Sequence, residues 1–273
     1  VVYANSVLGA RCNRNSAYID LFGAILGKTP YFDLLTDEGR KAKWLIDIRT
    51  TKAPEAQILG SAIGLKVMED VPYIRGLDAF LGGELNEEVK AYLKDMGAAS
   101  ASNGAVGLYH VEGLTPEVVE QGDALLLPDA RVYVIDDAEL QRVKDSYPLM
   151  WKSPDVKPKL AFIGCPHLSI GQLKSWTDRL EAGLKASGRS RLAYKTVLTA
   201  APGVLEEFRA TPYYERLRAT GARVSYICPL MYMNNPMCAK MPVITNSNKL
   251  RTYTTSRYYS DSEILDQITG GAK

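Results

Sequence analysis

The sequence is poor in the residues that most often carry chemistry, with two histidines and four cysteines among its 273 residues. The cysteines are widely spaced and form no C-x-x-C pair, which argues against the disulfide framework of a small secreted domain. No apolar run is long enough to span a membrane, and no signal peptide, G-x-G-x-x-G turn or P-loop is visible. We therefore expect a protein of the reducing cytoplasm that is neither a membrane protein nor a Rossmann-type nucleotide binder.

Charge of one sign is also scarce, because 33 basic residues nearly balance 31 acidic residues and leave a net charge of +2. This balance argues against a nucleic-acid-binding surface, which is normally strongly basic. Hydrophobic residues make up 46% of the chain and charged residues 23%, as in ordinary globular proteins. The length is sufficient for two domains or for one large α/β unit.

Strand and helix patterns alternate along the chain and predict an α/β fold with mainly parallel sheets and helices on both faces. We expect two domains, at residues 1–128 and 129–273. The second should have the order β-α-β-α-β-α-β, with strands at 131–135, 160–163, 192–197 and 224–227. Ser169 is expected to cap the helix after the second of these strands, and another helix is expected over residues 203–220.

The amino-terminal half gives weaker signals. Apolar spacing predicts a helix over residues 5–27, and Asn86 is expected to cap another helix that ends before Gly97. The chain opens on the apolar, strand-like run Val1–Tyr3 without an initiating methionine. We therefore expect a fragment, or one piece of a split enzyme.

The most informative pattern is a cysteine followed by a proline at the end of a predicted strand. Cys165-Pro166 follows the strand at 160–163, and Cys228-Pro229 follows the strand at 224–227. Open α/β sheets place their chemistry at the carboxyl ends of strands, so two thiolates there could converge on one ion or iron–sulfur cluster. The alternative is a pair of ordinary buried cysteines, which pack as small hydrophobic residues.

Three segments together resemble the large subunit of aconitase X, a family of iron–sulfur dehydratases related to aconitase. They are residues 1–11 (VVYANSVLGAR), 163–169 (IGCPHLS) and 244–249 (ITNSNK). The intervening segments 103–110 (NGAVGLYH) and 113–117 (GLTPE) are similar to the same family. The resemblance implies an aconitase-like fold and a hydro-lyase that removes water from a small β-hydroxy carboxylic acid.

The resemblance also implies an iron–sulfur cluster, of unknown nuclearity, with Cys165 and Cys228 as ligands. The family's third cysteine ligand would lie upstream of Val1. Cys12 or Cys238 could replace it, although a buried thiol and a loop cysteine are the plainer interpretations. A cluster iron with an open coordination position acts as a Lewis acid towards the substrate hydroxyl.

The family resemblance implies partners as well. Its catalytic base is a serine on a small swivel-type subunit or fused domain, so no serine of this chain is assigned that role. We expect the chain to work with that small subunit, with the missing upstream segment and with a small carboxylate substrate. Without these partners the chain should have no dehydratase activity.

His167 is the candidate catalytic residue of this chain, as a proton donor to the departing hydroxyl or a ligand of the substrate carboxylate. Support of the neighbouring thiolate is an equal alternative. Substrate contacts are expected from two polar clusters, one near the first helix (Asn5, Ser6, Arg11, Asn13, Arg14) and one after predicted strands (Ser169, Asn246, Ser247, Lys249). The alternatives are a solvated face with surface ion pairs and an ordinary Asn/Ser turn.

Two substrates known for the family remain open, cis-3-hydroxy-L-proline and (R)-5-phosphomevalonate. Residues 18–30 look more like the bacterial hydroxyproline type, whereas Asn13-Arg14 looks more like the archaeal phosphomevalonate type. We favour the first slightly. The competing hypothesis is a non-catalytic or incomplete subunit that binds a metal or small anion without turnover.

Overall fold

The computed structural model describes residues 1–270, which divide into two units, Val1–Asp145 and the residues from Ser146 onward. Short 3-10 turns separate some elements of the first unit. Its helices and strands are, in chain order, α1 (Val2–Ser6), α2 (Ala17–Leu26), β1 (Ala42–Ile48), α3 (Ala56–Val67), β2 (Pro72–Arg75), α4 (Asp78–Leu81), α5 (Glu87–Asn103), β3 (His110–Val111), α6 (Pro116–Gln121), β4 (Leu126–Ile135) and α7 (Asp137–Asp145).

The first unit is built on a four-stranded parallel sheet in the order β3-β2-β1-β4. Helices α3 and α5 pack closely because α3 carries glycines at the contact. A Cβ atom at Gly60 would lie 2.1 Å from the carbonyl oxygen of Met96 in α5, and one at Gly64 would lie 2.5 Å from that of Ser100. Any larger residue there would push the two helices apart.

The predicted domain boundary between 128 and 129 is wrong, because it lies inside β4. That strand pairs with β1 from Leu126 opposite Ala42 to Ile135 opposite Ile48. The predicted strand at 131–135 therefore belongs to the first sheet, and the first unit continues through α7 to Asp145. The pairing of β4 with a strand 80 or so residues earlier is non-local, so periodicity along the chain does not reveal it.

The amino terminus also differs from the expectation. Val2–Ser6 is a helix rather than a strand, and the predicted helix over 5–27 is interrupted by irregular chain until Ser16 caps α2. Gly9, at φ +69°, lies in the left-handed region within this interruption. Gly27 ends α2 in the left-handed conformation, as predicted. No residue of α2 is buried in the first unit.

Helix α5 begins as predicted and ends later. The Asn86 side chain accepts hydrogen bonds from the backbone N–H groups of Glu88 and Val89, which makes it the N-cap. The helix continues through Gly97 to Asn103. Gly97 instead serves packing, because a Cβ atom there would lie 3.1 Å from the Tyr109 ring and 3.3 Å from Val2.

The second unit has a regular alternation of strands and helices. They are β5 (Leu160–Leu168), α8 (Ile170–Ser187), β6 (Lys195–Ala200), α9 (Pro202–Arg209), α10 (Pro212–Ala219), β7 (Arg223–Ser225), α11 (Pro229–Met233), β8 (Val243–Thr245), α12 (Asn248–Tyr253), β9 (Arg257–Tyr258) and α13 (Asp261–Thr269). Ser169 caps α8 through a capping box with Gln172, as the sequence predicts for the N-cap. The predicted helix over 203–220 is two helices, since Pro212 cannot continue α9 and starts α10.

The second sheet is parallel throughout, with the order β7-β6-β5-β8-β9. It has five strands rather than the predicted four, since it lacks 131–135 and gains β8 and β9. Its core contains strand residues such as Ile163, Leu198 and Ile244 with helix residues such as Leu173 and Ile264. The α/β fold with parallel sheets and helices on both faces is thereby confirmed. Among residues 1–270, no helix combines the length and the apolar character needed to cross a bilayer.

Candidate active site

The strand order of the second sheet marks where a ligand would bind. The chain passes from β5 to β6 and β7 on one side, then crosses to β8 and β9 on the other. The order therefore reverses between β5 and β8. Open parallel sheets bind ligands in the crevice outside the carboxyl ends of the strands at such a reversal. Two predicted site segments lie here: Cys165–Ser169 spans the carboxyl end of β5, and Asn246–Lys249 follows β8.

The end of β5 departs from regular pairing. Ile163 pairs with Leu198, and the next pair is Leu168 with Ala200. Between these two pairs the chain advances by five residues on β5 and by two on β6. Residues 164–167 therefore form a bulge, which carries Cys165 and His167. Gly164 has φ +108°, and a Cβ atom there would lie 2.5 Å from the carbonyl oxygen of Thr199, so only glycine fits. The Cys165–Pro166 peptide bond is cis.

Two hydroxyl groups satisfy the backbone of this bulge. Thr199 on β6 donates from Oγ1 to the carbonyl oxygen of Gly164. Ser247, just after β8, donates from Oγ to the carbonyl oxygen of Cys165. The bulge is thus held from both neighbouring strands, although it has left the regular ladder of the sheet.

Ser247 uses its hydroxyl proton within the protein and is almost fully buried. It is 1% exposed, and its Oγ also accepts the backbone N–H of Leu250 at 3.1 Å, which makes it the N-cap of α12. Its own N–H donates to Oγ1 of Thr245 at 3.1 Å. This arrangement favours a structural role for Ser247 over the substrate contact expected from the sequence.

Cys165 and Cys228 lie at the same edge of the sheet but not on adjacent strands. Strand β6 separates β5 from β7, and second-neighbour strands lie about 10 Å apart. Strand β7 is shorter than predicted and ends at Ser225, so the exposed residues Tyr226 and Ile227 precede Cys228 at the start of α11. Cys165 is buried and Cys228 is partly exposed. That Cys165 and Cys228 bind the same iron–sulfur cluster stays a prediction.

No complete metal site is formed by protein side chains within residues 1–270, where no three His, Cys, Asp or Glu groups come together. All four cysteines lie in this range and none forms a disulfide. Cys238 is hydrogen-bonded to Tyr232, and this bond raises the pKa of the Tyr232 hydroxyl. The Cys12 thiol donates to Oδ1 of Asn5 at 3.3 Å and lies outside any helix.

The other predicted residues of the second unit have clear positions. His167 is partly buried in the bulge, and Ser169 is engaged in capping α8. Asn246 donates from Nδ2 to Asp261 at 2.7 Å. Lys249, on the first turn of α12, is partly buried and forms no ion pair with the described residues. Its ammonium group is therefore a cation without an ion-pair partner among residues 1–270, in the segment after β8.

In the first unit, Asn5 is a structural residue. Its Nδ2 donates to the carbonyl oxygens of Cys12 and Gly107 at 2.8 and 2.9 Å, and its Oδ1 accepts the N–H of Cys12 at 2.9 Å. Ser6 accepts the N–H of Tyr109 at 2.9 Å. Both side chains are almost fully buried. These bonds occupy the whole amide and favour a structural role for Asn5, and its substrate contact stays a prediction.

Arg11 belongs to an acidic environment rather than to an open anion site. Its Nη2 lies 2.6 Å from Asp37 and 3.8 Å from Glu117. The hydrogen bond to Asp37 raises the pKa of the Arg11 guanidinium. A substrate carboxylate would have to compete with Asp37, so the expected contact through Arg11 requires this exposed pair to open.

Asn13 and Arg14 leave more room for a ligand. Asn13 is 7% exposed and donates from Nδ2 to the carbonyl oxygen of Phe32, but its buried Oδ1 has no partner among the described residues. Arg14 is exposed and donates to the carbonyl oxygen of Ala105, while its aliphatic part covers Gly107. The unpaired Asn13 acceptor is the strongest sign of ligand binding in this cluster, since buried acceptors normally have a donor.

His110, the other of the two histidines in the chain, is buried and has a structural role. Its Nε2 lies 2.8 Å from the carbonyl oxygen of Arg40, and burial lowers the pKa of its imidazole. Its neighbours Arg40 and Glu117 form a largely buried ion pair that is not predicted from the sequence. Thr199 was missed as well, although a threonine shortly after a predicted strand is a recognisable signal.

Comparisons with known proteins bear on the whole chain. Models of the aconitase X first, second and third domains match residues 1–38, 42–145 and 158–265. The second of these ends where the first unit ends. In a crystal structure of Thermococcus kodakaraensis aconitase X in its holo form, the similarity covers 97% of this chain and 65% of that one, with a TM-score of 0.79 and 29% identity.

Curated relatives agree. The phosphomevalonate dehydratase large subunit of Thermococcus kodakarensis is 35% identical over 182 residues, 66% of this chain and 43% of that protein. The cis-3-hydroxy-L-proline dehydratase of Pseudomonas aeruginosa is 27% identical over 261 residues, 93% of this chain and 42% of that protein. The chain thus spans about half the length of the curated relatives it matches. By its three domain matches and its fold, it belongs to the aconitase X family.

Proposed function

We propose that this chain is part of the large subunit of a hydro-lyase that removes water from a small β-hydroxy carboxylic acid. The observation that carries the proposal is the bulge at the end of β5, which presents Cys165 and His167 where the strand order reverses. Family membership supports the same reaction class, because relatives in this family are named dehydratases.

Cys165 and Cys228 are the proposed ligands of an iron–sulfur cluster. The donor set fits, because both are thiols outside disulfides at the same sheet edge, and thiolates are the preferred ligands of iron–sulfur clusters. A third ligand would be Cys12, Cys238 or a cysteine outside this sequence. We favour the last, since Cys12 and Cys238 are engaged with Asn5 and Tyr232. When bound, the cluster would supply a Lewis acid for the substrate hydroxyl.

The residues of this chain then have distinct tasks. Lys249 would bind the substrate carboxylate at the crevice, because its ammonium group forms no ion pair within residues 1–270. Within the first unit, taken by itself, Asn13 and Arg14 would offer an acceptor and a cation to a polar ligand. His167 would donate a proton to the departing hydroxyl, or bond the carboxylate, beside the proposed ligand Cys165.

The base that removes the proton from carbon is proposed to come from another polypeptide segment. Five relatives are named large subunits, which supports a small-subunit partner. We propose that a serine of this swivel-type subunit serves as the base, and that an upstream segment supplies the third cysteine. A cytoplasmic location stays a prediction from the wide cysteine spacing.

The substrate is proposed to be cis-3-hydroxy-L-proline or (R)-5-phosphomevalonate. Matches to phosphomevalonate dehydratase large subunits reach 35% identity and 99% of this chain, whereas matches to cis-3-hydroxy-L-proline dehydratases reach 28% identity and 93% of this chain. The competing proposal is a non-catalytic or incomplete subunit that binds a metal or small anion without turnover. The exposed, acid-paired Arg11 is the observation that favours it.

The test is a turnover assay of the complex with both substrates. The chain, extended by its upstream segment, is reconstituted anaerobically with iron and sulfide together with the small subunit, and loss of water is followed by product analysis. We expect turnover of one of the two substrates and visible absorbance typical of the cluster. A complex that takes up iron and sulfide but acts on neither substrate would support the non-catalytic alternative, and one that takes up none would contradict the cluster proposal.

A further inference from the structure

One hydrogen bond crosses the point where the strand order of the second sheet reverses. Ser247, which follows β8, donates its hydroxyl proton to the carbonyl oxygen of Cys165 in the bulge of β5. The direction of this bond is settled by the other partner of the hydroxyl. The backbone N–H of Leu250 can only donate, so the Ser247 oxygen accepts there and its single proton is left for Cys165.

The carbonyl group of Cys165 has a reason to need this partner. Residues 164–167 have no paired residue on β6, so the regular register of the parallel sheet is interrupted along this stretch. A buried carbonyl group without a donor is costly. Thr199 supplies a donor to Gly164 in the same way, from the opposite neighbouring strand. The bulge thus receives a side-chain hydroxyl bond from each side of β5.

We propose that Ser247 is a positioning residue that fixes the backbone of Cys165 and thereby aims its thiol. The inference rests on the proposed function insofar as Cys165 is a cluster ligand. Ser247 does not touch the substrate in this scheme. Through this hydroxyl, the segment after β8 holds the bulge of β5, which carries Cys165, in place beside the crevice.

The competing explanation is that Ser247 merely caps α12. The chain offers a matched control, because Ser260 caps α13 in the same unit by accepting the N–H of Glu263. Ser260 makes no hydrogen bond to the bulge. Glycine is tolerated at N-caps at a cost of only a few tenths of a kcal/mol. Ser247→Gly and Ser260→Gly therefore both weaken a cap slightly, and only the first removes the bond to Cys165.

The first measurement needs no iron. In the full chain with Cys12, Cys228 and Cys238 changed to serine, the alkylation rate of Cys165 by a maleimide reports how often the bulge opens. We expect Ser247→Gly to raise the alkylation rate of Cys165 about tenfold. Ser260→Gly should leave the rate within about twofold. Ser247→Thr, which keeps a hydroxyl group, should give the same rate as Ser247. Hydrogen exchange of residues 164–168 should follow the same order, which excludes a change in thiol chemistry alone.

The second measurement uses the reconstituted complex and its visible absorbance under a chelator. We expect the cluster of the Ser247→Gly variant to decay about tenfold faster than that of the wild type or of Ser260→Gly. Equal alkylation and exchange in the Ser247→Gly and Ser260→Gly chains would overturn the proposal. If the wild-type complex binds no iron, the proposed function fails, while the alkylation result still decides whether Ser247 positions Cys165.

Discussion

Arg40 and Glu117 form a two-bond ion pair inside the first unit. Nε of Arg40 lies 2.6 Å from Oε1 of Glu117, and its Nη2 lies 2.7 Å from Oε2. The guanidinium also donates to the carbonyl oxygens of Leu34 and Ala10, at 2.9 and 3.3 Å. It thereby joins α6 to the irregular segment that precedes the predicted substrate residues Arg11 to Arg14.

Replacing Arg40 by methionine should destabilise the first unit strongly. The change leaves the Glu117 carboxylate largely buried without its partner, and breaking a buried pair in this way costs about 3–5 kcal/mol. Urea unfolding followed by circular dichroism measures the loss. Lys41→Met is the control, because Lys41 pairs with the exposed Glu38 and such pairs contribute about 0–1 kcal/mol. Equal losses in the two variants would contradict the structural role of Arg40.

Asn5→Ala should also lower stability, before any substrate is present. The change leaves the buried carbonyl oxygen of Gly107 and the N–H of Cys12 without partners, which costs about 1–3 kcal/mol for each such group. The matched control is Asn15→Ala, since Asn15 makes a single exposed hydrogen bond to Asp20. If Asn5→Ala unfolds like the wild type, then Asn5 is not structural and the substrate contact expected from the sequence regains support.

Local signals in the sequence predicted local structure well. The N-caps at Asn86 and Ser169 are confirmed, because a cap depends on hydrogen bonds within three residues. The domain boundary was wrong, since it depends on which strand β4 joins. Glycine commonly ends helices, so the sequence predicts a helix end at Gly97. In the structure Gly97 lies within α5 and makes room for Tyr109, a residue twelve positions away.

The candidate site was predictable in position and less so in the roles of its residues. Cys165 lies near the carboxyl end of β5 and Asn246–Lys249 follows β8, the two strands that flank the reversal of strand order. The sequence could not tell that the hydroxyl of Ser247 is directed to the Cys165 backbone, because that bond joins positions 82 apart. Polar residues after strands bind either a ligand or a neighbouring turn, and only the three-dimensional contacts distinguish the two.

Stability of the first unit should fall as the pH drops below about 6.5, the usual pKa of histidine. Burial lowers the pKa of folded His110 below that value. In this pH range the unfolded chain binds more protons at His110 than the folded chain does. The free energy of unfolding therefore rises with pH, by at most about 1.4 kcal/mol per pH unit. Urea unfolding between pH 5.5 and 7.5 measures the slope.

His110→Gln is the variant that tests this assignment. Glutamine can still donate to the carbonyl oxygen of Arg40, and it does not titrate. We expect the pH slope in this range to become smaller, with the remainder due to other groups. An unchanged slope would show that His110 does not govern the acid sensitivity of the first unit.

The sharpest functional prediction concerns dependence on other polypeptide segments. Within this chain we assign two proposed ligands, Cys165 and Cys228, and no base for proton removal from carbon. The isolated chain should therefore show no dehydratase turnover even after incubation with iron and sulfide. Adding the upstream segment and the small subunit should produce turnover, because the third ligand and the base would then be present.

Cysteine variants of that complex separate ligands from bystanders. Cys165→Ser and Cys228→Ser should each abolish both turnover and the visible absorbance of the cluster, because serine does not replace a thiolate ligand effectively. Cys12→Ser and Cys238→Ser should retain most of both, since these thiols are hydrogen-bonded to Asn5 and Tyr232. Robust turnover by the isolated chain would refute this division of roles. It would identify Cys12 or Cys238 as the third ligand and require a base within this sequence.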